Sequence, residues 1–231
     1  MSQACRVFQQ STILVPTIMR FLCIHGTGSN SDIMQLQTAA LRYELADDHE
    51  YDFVEGAETA PMSPDVASLA SPDQSFYAFY DPNDYRGLRV AIDQLDDFVS
   101  KEGPYDAVLG FSSGAVLAAL YILHKKRQGT TERNMPFKYA IFLSSARSKD
   151  AMRSLQMDPC SDIIRIPTAH IWGSGDDMEP TGGEDLCQIC DPRCRAFFVH
   201  KGGHESPRDM DLIKAVHAIR RTLVAKEETS L

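Results

Sequence analysis

The stretch that decides the fold reads Ala107-Val108-Leu109-Gly110-Phe111-Ser112-Ser113-Gly114-Ala115-Val116-Leu117. The short apolar run at its start is typical of a buried strand, and the apolar residues at its end predict a helix. Gly110 and Gly114 permit a turn that is too tight for side chains against the neighbouring backbone. A G-x-S-x-G turn between a strand and a helix raises its serine hydroxyl above the end of a sheet. Ser112 is therefore the candidate nucleophile.

Two backbone N–H groups are candidates for stabilising an oxyanion. The N–H of Ser113 lies at the predicted start of the helix, where it would point towards that charge. The first strand is followed by His25-Gly26-Thr27-Gly28, a turn that lacks the third glycine of a dinucleotide-binding loop and the lysine of a P-loop. We therefore expect the N–H of Thr27 to be the second donor. His25 is expected to tie this loop to its surroundings rather than to act in catalysis.

A serine nucleophile needs a histidine base and a carboxylate that orients the histidine. In the chain order serine, acid, histidine, each of these residues follows the end of a strand. The predicted strand Thr168–Trp172 is followed by a glycine turn and then by Asp176. Asp176 is the preferred acid, and Asp177 and Glu179 are its competitors.

The histidine is expected after the next predicted strand, Ala196–Val199. Two glycines precede His204 there, and glycines allow a loop to bend back over the edge of the sheet. His200 ends the strand and is expected to pack or to point away. His204 is thus the predicted general base.

Outside these motifs the chain alternates strand-like and helix-like segments, which is typical of a mainly parallel central sheet with helices on both faces. Apolar spacing predicts helices around residues 33–45, 88–99, 115–123 and 212–223, and the first of them is capped by Ser31 or Asp32. Its apolar positions are Ile33, Leu36, Ala40, Leu41 and Leu45. Further strands are predicted at 21–24, 51–54 and 139–143. The predicted fold class is α/β.

Residues 55–85 form a long irregular segment that contains four prolines. Loops of this length in compact domains are uncommon and are often binding loops or lids. The segment is also rich in aromatic residues, among them Phe76, Tyr77, Phe79 and Tyr80. These side chains could line an acyl pocket, or they could pack the segment onto the core, and the two interpretations are compatible.

Composition limits the class of protein. The 231 residues, with 43% apolar and 24% charged side chains, indicate a single domain over residues 19–231 after a disordered extension of residues 1–18. No apolar run reaches the ~18–20 residues needed to span a bilayer, so we expect a soluble protein that does not bind membranes. The formal net charge of −9 argues against nucleic acid as the main partner.

The cysteines favour a reducing, cytoplasmic location. Six cysteines in a chain of this length are too few and too unevenly placed for a disulfide scaffold. Cys187, Cys190 and Cys194 lack a second ligand pair at zinc-finger spacing, so we expect no metal site. The chemistry predicted for Ser112 requires neither a metal nor an organic cofactor.

These motifs together resemble those of the fungal FSH-type serine hydrolases, which are small α/β-hydrolases. The resemblance covers nearly all of Met19–Val224 and rests on Phe21–Gly26, Gly110–Gly114, Gly173–Asp176 and Gly202–His204. It implies an α/β-hydrolase fold, and it implies a catalytic triad and two oxyanion donors at the residues identified above, namely Ser112, Asp176, His204, Thr27 and Ser113. Residues 1–18 depart from the family pattern, because members usually start at the first strand.

The resemblance also implies a substrate class. Many members that resemble this chain occur in polyketide biosynthetic clusters, where they hydrolyse the thioester that holds a polyketide on its synthase. We therefore expect a thioesterase or esterase that releases a polyketide acyl chain in fungal secondary metabolism. A broad carboxylesterase acting on small oxygen esters is the alternative. A non-catalytic ligand-binding protein is a third possibility, but such a protein has no need of all three triad residues.

The acyl group could reach this site as a free small molecule or on the acyl carrier domain of a polyketide synthase. A basic cluster near the end of the central helix could dock an acidic carrier, although a solvated helix end explains the same pattern. Its members are Lys125, Lys126, Arg127, Arg133 and Lys138.

Overall fold

Six parallel strands form the central sheet of the protein, which a computed structural model describes over residues 18–45 and 48–224. In chain order the strands are β1 (Arg20–Ile24), β2 (Glu50–Val54), β3 (Glu58–Thr59), β4 (Tyr77–Ala78), β5 (Ala107–Phe111), β6 (Tyr139–Leu143), β7 (Thr168–Gly173) and β8 (Arg195–His200). The sheet has the order β2-β1-β5-β6-β7-β8, while β3 and β4 form a small antiparallel pair. The predicted extension, residues 1–18, lies outside the described residues except for Ile18.

Helices cover both faces of this sheet. They are α1 (Ser31–Leu45), α2 (Leu88–Glu102), α3 (Ser113–Arg127), α4 (Lys149–Ser154), α5 (Gly182–Gln188) and α6 (Asp209–Val224). Successive strand residues point to opposite faces, so each face has its own core. One core joins the sheet to α1 and α6, and the other joins it to α2, α3, α4 and α5. The predicted α/β class, with a mainly parallel sheet between helices, is confirmed.

Strand order positions the site. The chain passes from β1 through α1 to β2 on one side, and then returns through α2 to place β5 on the other side of β1. At the carboxyl edge of the sheet, the chain therefore leaves the neighbouring strands β1 and β5 in opposite directions, towards β2 and towards β6. Ligands of open α/β sheets bind at such a reversal of strand order.

The central helix α3 is buried through its first three turns, from Ser113 to His124. It approaches the end of β1 closely because Gly114 has no side chain. A Cβ atom at Gly114 would lie 2.4 Å from the carbonyl oxygen of Ile24 and 2.5 Å from that of His25. This close contact brings the turn at Ser112 against the loop that follows β1.

Helix α1 differs from the prediction at its start and on its buried face. The cap is Asn30, whose Oδ1 accepts the N–H of Ile33 at 2.8 Å, and not Ser31 or Asp32. The expected apolar face was also partly wrong, because Leu36 is 56% exposed and Ala40 is exposed. The buried positions are Ile33, Met34, Thr38, Leu41 and Leu45. The buried face of α1 therefore begins at Ile33 and continues through Met34 and Thr38.

Helices α4 and α5 were not predicted. They are six and seven residues long, which is too short to show a helical period in the sequence. Within the described residues no helix has the length and apolar character that a transmembrane span requires.

Replacing Gly114 by alanine tests the close contact between α3 and β1. The added Cβ would collide with backbone carbonyls that cannot move without shifting β1, so we expect Gly114→Ala to lower the free energy of unfolding by about 3 kcal/mol. Urea denaturation measures this change. Gly129→Ala is the matched control, because its Cβ would meet no atom within 4 Å and only its φ of +86° is unfavourable, at about 1 kcal/mol. Equal losses in the two variants would contradict the packing argument.

Candidate active site

Ser112 occupies a strained turn between β5 and α3. Its backbone has φ 52° and ψ −122°, a left-handed conformation that is unusual for a residue with a side chain. Two contacts hold the turn in place. The N–H of Ser112 donates to the carbonyl of Leu143 at the end of β6, at 3.0 Å, and the N–H of Ala115 donates back to the carbonyl of Ser112 at 3.1 Å. The side chain is partly exposed above the sheet, as the sequence motif predicts.

The structure brings the three predicted triad residues together. His204 Nε2 lies 2.9 Å from Ser112 Oγ, and His204 Nδ1 lies 2.7 Å from Asp176 Oδ2. With its proton on Nδ1, the imidazole donates to the carboxylate and accepts the serine hydroxyl proton. His204 and Asp176 are each only 7% exposed. The arrangement can move a proton from the serine to the histidine away from bulk water.

Asp176, rather than its competitors, contacts the histidine. Its second carboxylate oxygen, Oδ1, accepts the N–H of Glu179 at 2.9 Å, so both oxygens have partners. Asp177 is exposed. Glu179 directs its own carboxylate to Arg147 Nε, at 3.0 Å. Neither competitor is placed to orient His204.

Backbone contacts between neighbouring loops fix the position of His204. The N–H of Gly175 donates to the carbonyl of Gly202 at 3.0 Å, which joins the loop after β7 to the loop after β8. A Cβ at Gly173 would lie 2.1 Å from that same carbonyl oxygen. The imidazole also meets the ring of Phe111 edge to face, with centroids 5.4 Å apart. The acid and the base are therefore held on interlocked loops.

His200 packs beneath this loop, as predicted. It is 3% exposed, and its Nδ1 accepts the N–H of Gly202 at 3.1 Å. Burial lowers the pKa of His200, so the neutral ring that accepts this bond is favoured.

The two predicted oxyanion donors lie next to each other, but the N–H of Thr27 already has a partner. It donates to Ser113 Oγ at 2.8 Å, and the hydroxyl of Thr27 is also 2.8 Å from Ser113 Oγ. The N–H of Ser113 belongs to the first turn of α3, whose N–H groups have no partner within the helix. The side chain of Ser113 was not predicted to take part. It was missed because a serine in this position has no distinguishing pattern in the sequence.

His25 ties the loop after β1 to the end of β2, in agreement with its predicted role. The ring is fully buried; Nδ1 lies 2.7 Å from the carbonyl oxygen of Gly26, and Nε2 lies 3.0 Å from the backbone nitrogen of Gly56. Glu55 Oε1 lies 2.9 Å from the same ring nitrogen, Nε2. Burial alone would raise the pKa of Glu55, but the hydrogen bond and charge of His25, together with bonds from Ser31, lower it overall.

The aromatic residues of segment 55–85 pack it onto this loop. The N–H of Gly28 donates to the carbonyl of Tyr77 at 2.9 Å, and the ring of Phe79 lies on His25 with centroids 4.8 Å apart. Tyr80 is buried and donates its hydroxyl to the carbonyl of Ser113 at 3.4 Å. Burial raises the pKa of Tyr80, which keeps the phenol protonated. The packing interpretation is therefore sufficient for Phe79 and Tyr80, and the acyl-pocket role of this segment, including Phe76, stays a prediction.

The predicted basic cluster lies at the opposite end of the sheet from Ser112. The fifteen residues of α3 separate the two by about 20 Å. Its cations also have local partners, since Lys125 pairs with Asp96 at 2.9 Å and Lys138 pairs with Asp106 at 2.7 Å. The structure does not bring this cluster to the serine.

Comparison with known proteins agrees with this geometry. A family model described as serine hydrolase (FSH1) matches residues 15–216. The chain belongs to this serine hydrolase family. The protein is accordingly a hydrolase, and the resemblance drawn from the sequence motifs is confirmed.

Two fungal relatives align with most of this chain. Esterase FPY3 from Fusarium mangiferae is 36% identical in an alignment 203 positions long that covers 82% of this chain and 89% of the relative. Hydrolase FUB4 from Gibberella moniliformis is 38% identical in an alignment 271 positions long, gaps included, that covers 90% of this chain and 99% of the relative. The crystal structure of the Bacillus cereus carboxylesterase matches with a TM-score of 0.58 at 14% identity, covering 89% of each chain. That likeness confirms the α/β-hydrolase fold.

Replacing Ser113 by alanine tests the contact between α3 and the loop after β1. The change removes the acceptor of the Thr27 N–H and leaves polar groups of Thr27 without their partner, so we expect Ser113→Ala to lower the free energy of unfolding by about 2 kcal/mol. Chemical denaturation measures the loss. Ser100→Ala, at an exposed position of α2, is the control and should change stability by less than about 0.5 kcal/mol. A Ser113→Ala protein as stable as this control would mean that the hydroxyl contacts contribute nothing to the fold.

Proposed function

We propose that this serine hydrolase cleaves a thioester or ester through an acyl-enzyme on Ser112, and that it releases a polyketide acyl chain in fungal secondary metabolism. The observation that carries the proposal is the contact chain from Ser112 Oγ to His204 and on to Asp176, at 2.9 and 2.7 Å. Each of the three side chains stands in the position that its role requires.

In the first half-reaction Ser112 Oγ attacks the acyl carbonyl carbon while its proton passes to His204 Nε2. The carbonyl oxygen becomes negative in the tetrahedral intermediate, and Asp176 stabilises the imidazolium that has formed. The bond from the acyl carbon to sulfur or oxygen then breaks. His204 returns its proton to the departing thiol or alcohol, and the acyl group remains on Ser112.

In the second half-reaction water replaces the leaving group. His204 takes a proton from water as the water oxygen attacks the acyl-enzyme carbonyl. The bond from the acyl carbon to Ser112 Oγ breaks, and the proton on His204 returns to that oxygen. The products are a carboxylic acid and the free enzyme, so no metal or organic cofactor takes part in the balance.

The oxyanion is stabilised by the N–H of Ser113 together with a second donor next to it, at Thr27. Because the N–H of Thr27 donates to Ser113 Oγ, a second donor must come from a rearrangement of that bond or from the hydroxyls themselves. Two hydroxyls share one mutual bond, so one of their two protons remains for another acceptor. Losing one donor of an oxyanion hole typically lowers kcat by ~10²–10³.

The proposed substrate class is supported by the fungal proteins that this chain resembles. It resembles fungal family members that occur in polyketide clusters, and FPY3 and FUB4 are a fungal esterase and a fungal hydrolase by name. The acyl group would arrive as a free thioester or on the carrier domain of a polyketide synthase. A carboxylesterase acting on small oxygen esters is the second candidate, and the esterase name of FPY3 favours it.

Hydrolysis of two matched substrates separates these candidates. The butyryl thioester of N-acetylcysteamine and the butyryl ester of N-acetylethanolamine differ only in the atom that leaves. We expect wild-type protein to hydrolyse both, with a kcat/KM at least about tenfold higher for the thioester, and Ser112→Ala to lower both by roughly 10⁵-fold or more. Ser154→Ala, on the exposed side of α4, is the serine control. A clear preference for the oxygen ester would support the carboxylesterase, and Ser112-independent turnover would refute the mechanism.

A further inference from the structure

A cluster of polar side chains beside the triad acid has no role in the mechanism above. It consists of Arg147 and Glu179, and Glu179 connects it to the triad. The N–H of Glu179 donates to Asp176 Oδ1 at 2.9 Å. Its carboxylate Oε2 accepts Arg147 Nε–H at 3.0 Å and the Arg147 backbone N–H at 3.3 Å. Glu179 and Asp176 therefore link the guanidinium of Arg147 to His204 through hydrogen bonds.

Arg147 presents an open edge. Its hydrogen bonds with Glu179 use Nε and the backbone N–H, and no group within 18–45 or 48–224 forms a hydrogen bond with Nη1 or Nη2. Its side chain is 63% exposed, whereas that of Glu179 is 22% exposed. A guanidinium carries five N–H donors, so four remain for a ligand. Glu179 thus fixes the orientation of the cation without occupying the edge that matches a carboxylate or a phosphate.

The charges of Arg147 and Glu179 act on the pKa of Tyr85. Its backbone has a φ of 60°, which is unfavourable for a tyrosine and is maintained by a bond from its N–H to the carbonyl of Asp81 at 2.8 Å. Burial raises the pKa of Tyr85; Asp150 and Glu179 act in the same direction, and Arg147 opposes them. The phenol therefore stays protonated.

The cluster lies at the same edge of the sheet as Ser112, because Arg147 follows β6, Glu179 follows β7 and Ser112 follows β5. The hydroxyl of Tyr80 contacts the carbonyl of Ser113, and its pKa is raised by burial and, to a smaller extent, by Tyr85 and Glu179. Arg147 itself lies four residues after Leu143, the residue whose carbonyl accepts the N–H of Ser112. Arg147 and Ser112 therefore follow two strands that pair with each other, β6 and β5.

We propose that Arg147, oriented by Glu179, binds an anionic group of the substrate and so makes the enzyme selective for charged acyl esters or charged leaving groups. This inference rests on the proposed function, because it assigns a substrate class to the same serine. A carboxylate or phosphate oxygen accepts hydrogen bonds from the two Nη groups, while Glu179 keeps its bond to Nε. Because the arginine is exposed and its charge is screened, the selectivity is modest rather than absolute.

Three esters of matched size test the proposal: 4-nitrophenyl butyrate, the mono-4-nitrophenyl ester of glutaric acid, and the butyrate ester of 5-hydroxy-2-nitrobenzoic acid. The first is neutral, the second carries a carboxylate on the acyl side, and the third carries one on the leaving group. The quantity measured is the ratio of kcat/KM for each charged ester to that for the neutral ester. We expect Arg147→Gln to lower at least one ratio about fivefold and Arg147→Lys to retain part of it. Glu179→Gln removes a competing negative charge and should raise the same ratio.

The control is Arg89→Gln, which removes an arginine of similar exposure (59%) that pairs with Asp93 on α2. It should leave both ratios unchanged. In the wild type the affected ratio should fall as ionic strength rises, and this dependence should disappear in Arg147→Gln. A loss confined to the glutarate ester places the anion on the acyl side, and a loss confined to the nitrobenzoate places it on the leaving group; both outcomes support the proposal.

Two results would overturn it, and they differ. If neutral ester is hydrolysed in a Ser112-dependent manner but both ratios in Arg147→Gln stay within about twofold of wild type, the assignment of Arg147 is wrong and the proposed function stands. If none of the three esters is hydrolysed in a Ser112-dependent manner, the proposed function fails and this inference fails with it.

Discussion

The strained backbone at Ser112 is the constraint on which the rest of the site depends. A residue held in such a conformation costs of order 1–3 kcal/mol, and it persists only where its surroundings leave no alternative. Here the carbonyl of Leu143 accepts the serine N–H, and Gly114 allows α3 to press against the end of β1. The strain is thus supported by the middle of the sheet. As a result the Oγ atom is fixed in the one place that His204 can reach.

Topology supplies the remaining groups without long loops. The proposed nucleophile, acid and base follow β5, β7 and β8, and parallel strands have their carboxyl ends at one edge of the sheet. Because β7 and β8 are neighbours, their loops join through backbone contacts, and Asp176 and His204 are held in register before any substrate binds. Preorganised polar groups of this kind account for much of the rate enhancement in enzymes, since they need not reorient as charge develops. The hydrogen bond between the hydroxyls of Ser113 and Thr27 likewise holds the loop after β1 against the start of α3.

The fold and the triad could be predicted from the sequence because each depends on local patterns. Strand-like runs followed by glycine turns located Ser112, Asp176 and His204, and the structure places the three in contact. The sequence could not distinguish Asn30 from its polar neighbours as the helix cap, since all of them suit that position. Arg147 and the side chain of Ser113 were missed because no glycine turn or other motif marks them as the triad residues are marked, although the separations from their partners, 32 and 86 residues, are similar to those within the triad. Such contacts have no period or spacing that a single sequence reveals.

The central claim is that Asp176 orients His204, which in turn activates Ser112. The most direct measurement is the rate of covalent labelling by a fluorophosphonate, mapped by peptide mass spectrometry in the wild type, Asp176→Asn and Asp177→Asn. The account predicts a single adduct on Ser112, labelled roughly 10³–10⁴-fold more slowly in Asp176→Asn and at the wild-type rate in Asp177→Asn. Labelling at another serine, or equal rates in Asp176→Asn and the wild type, would contradict it.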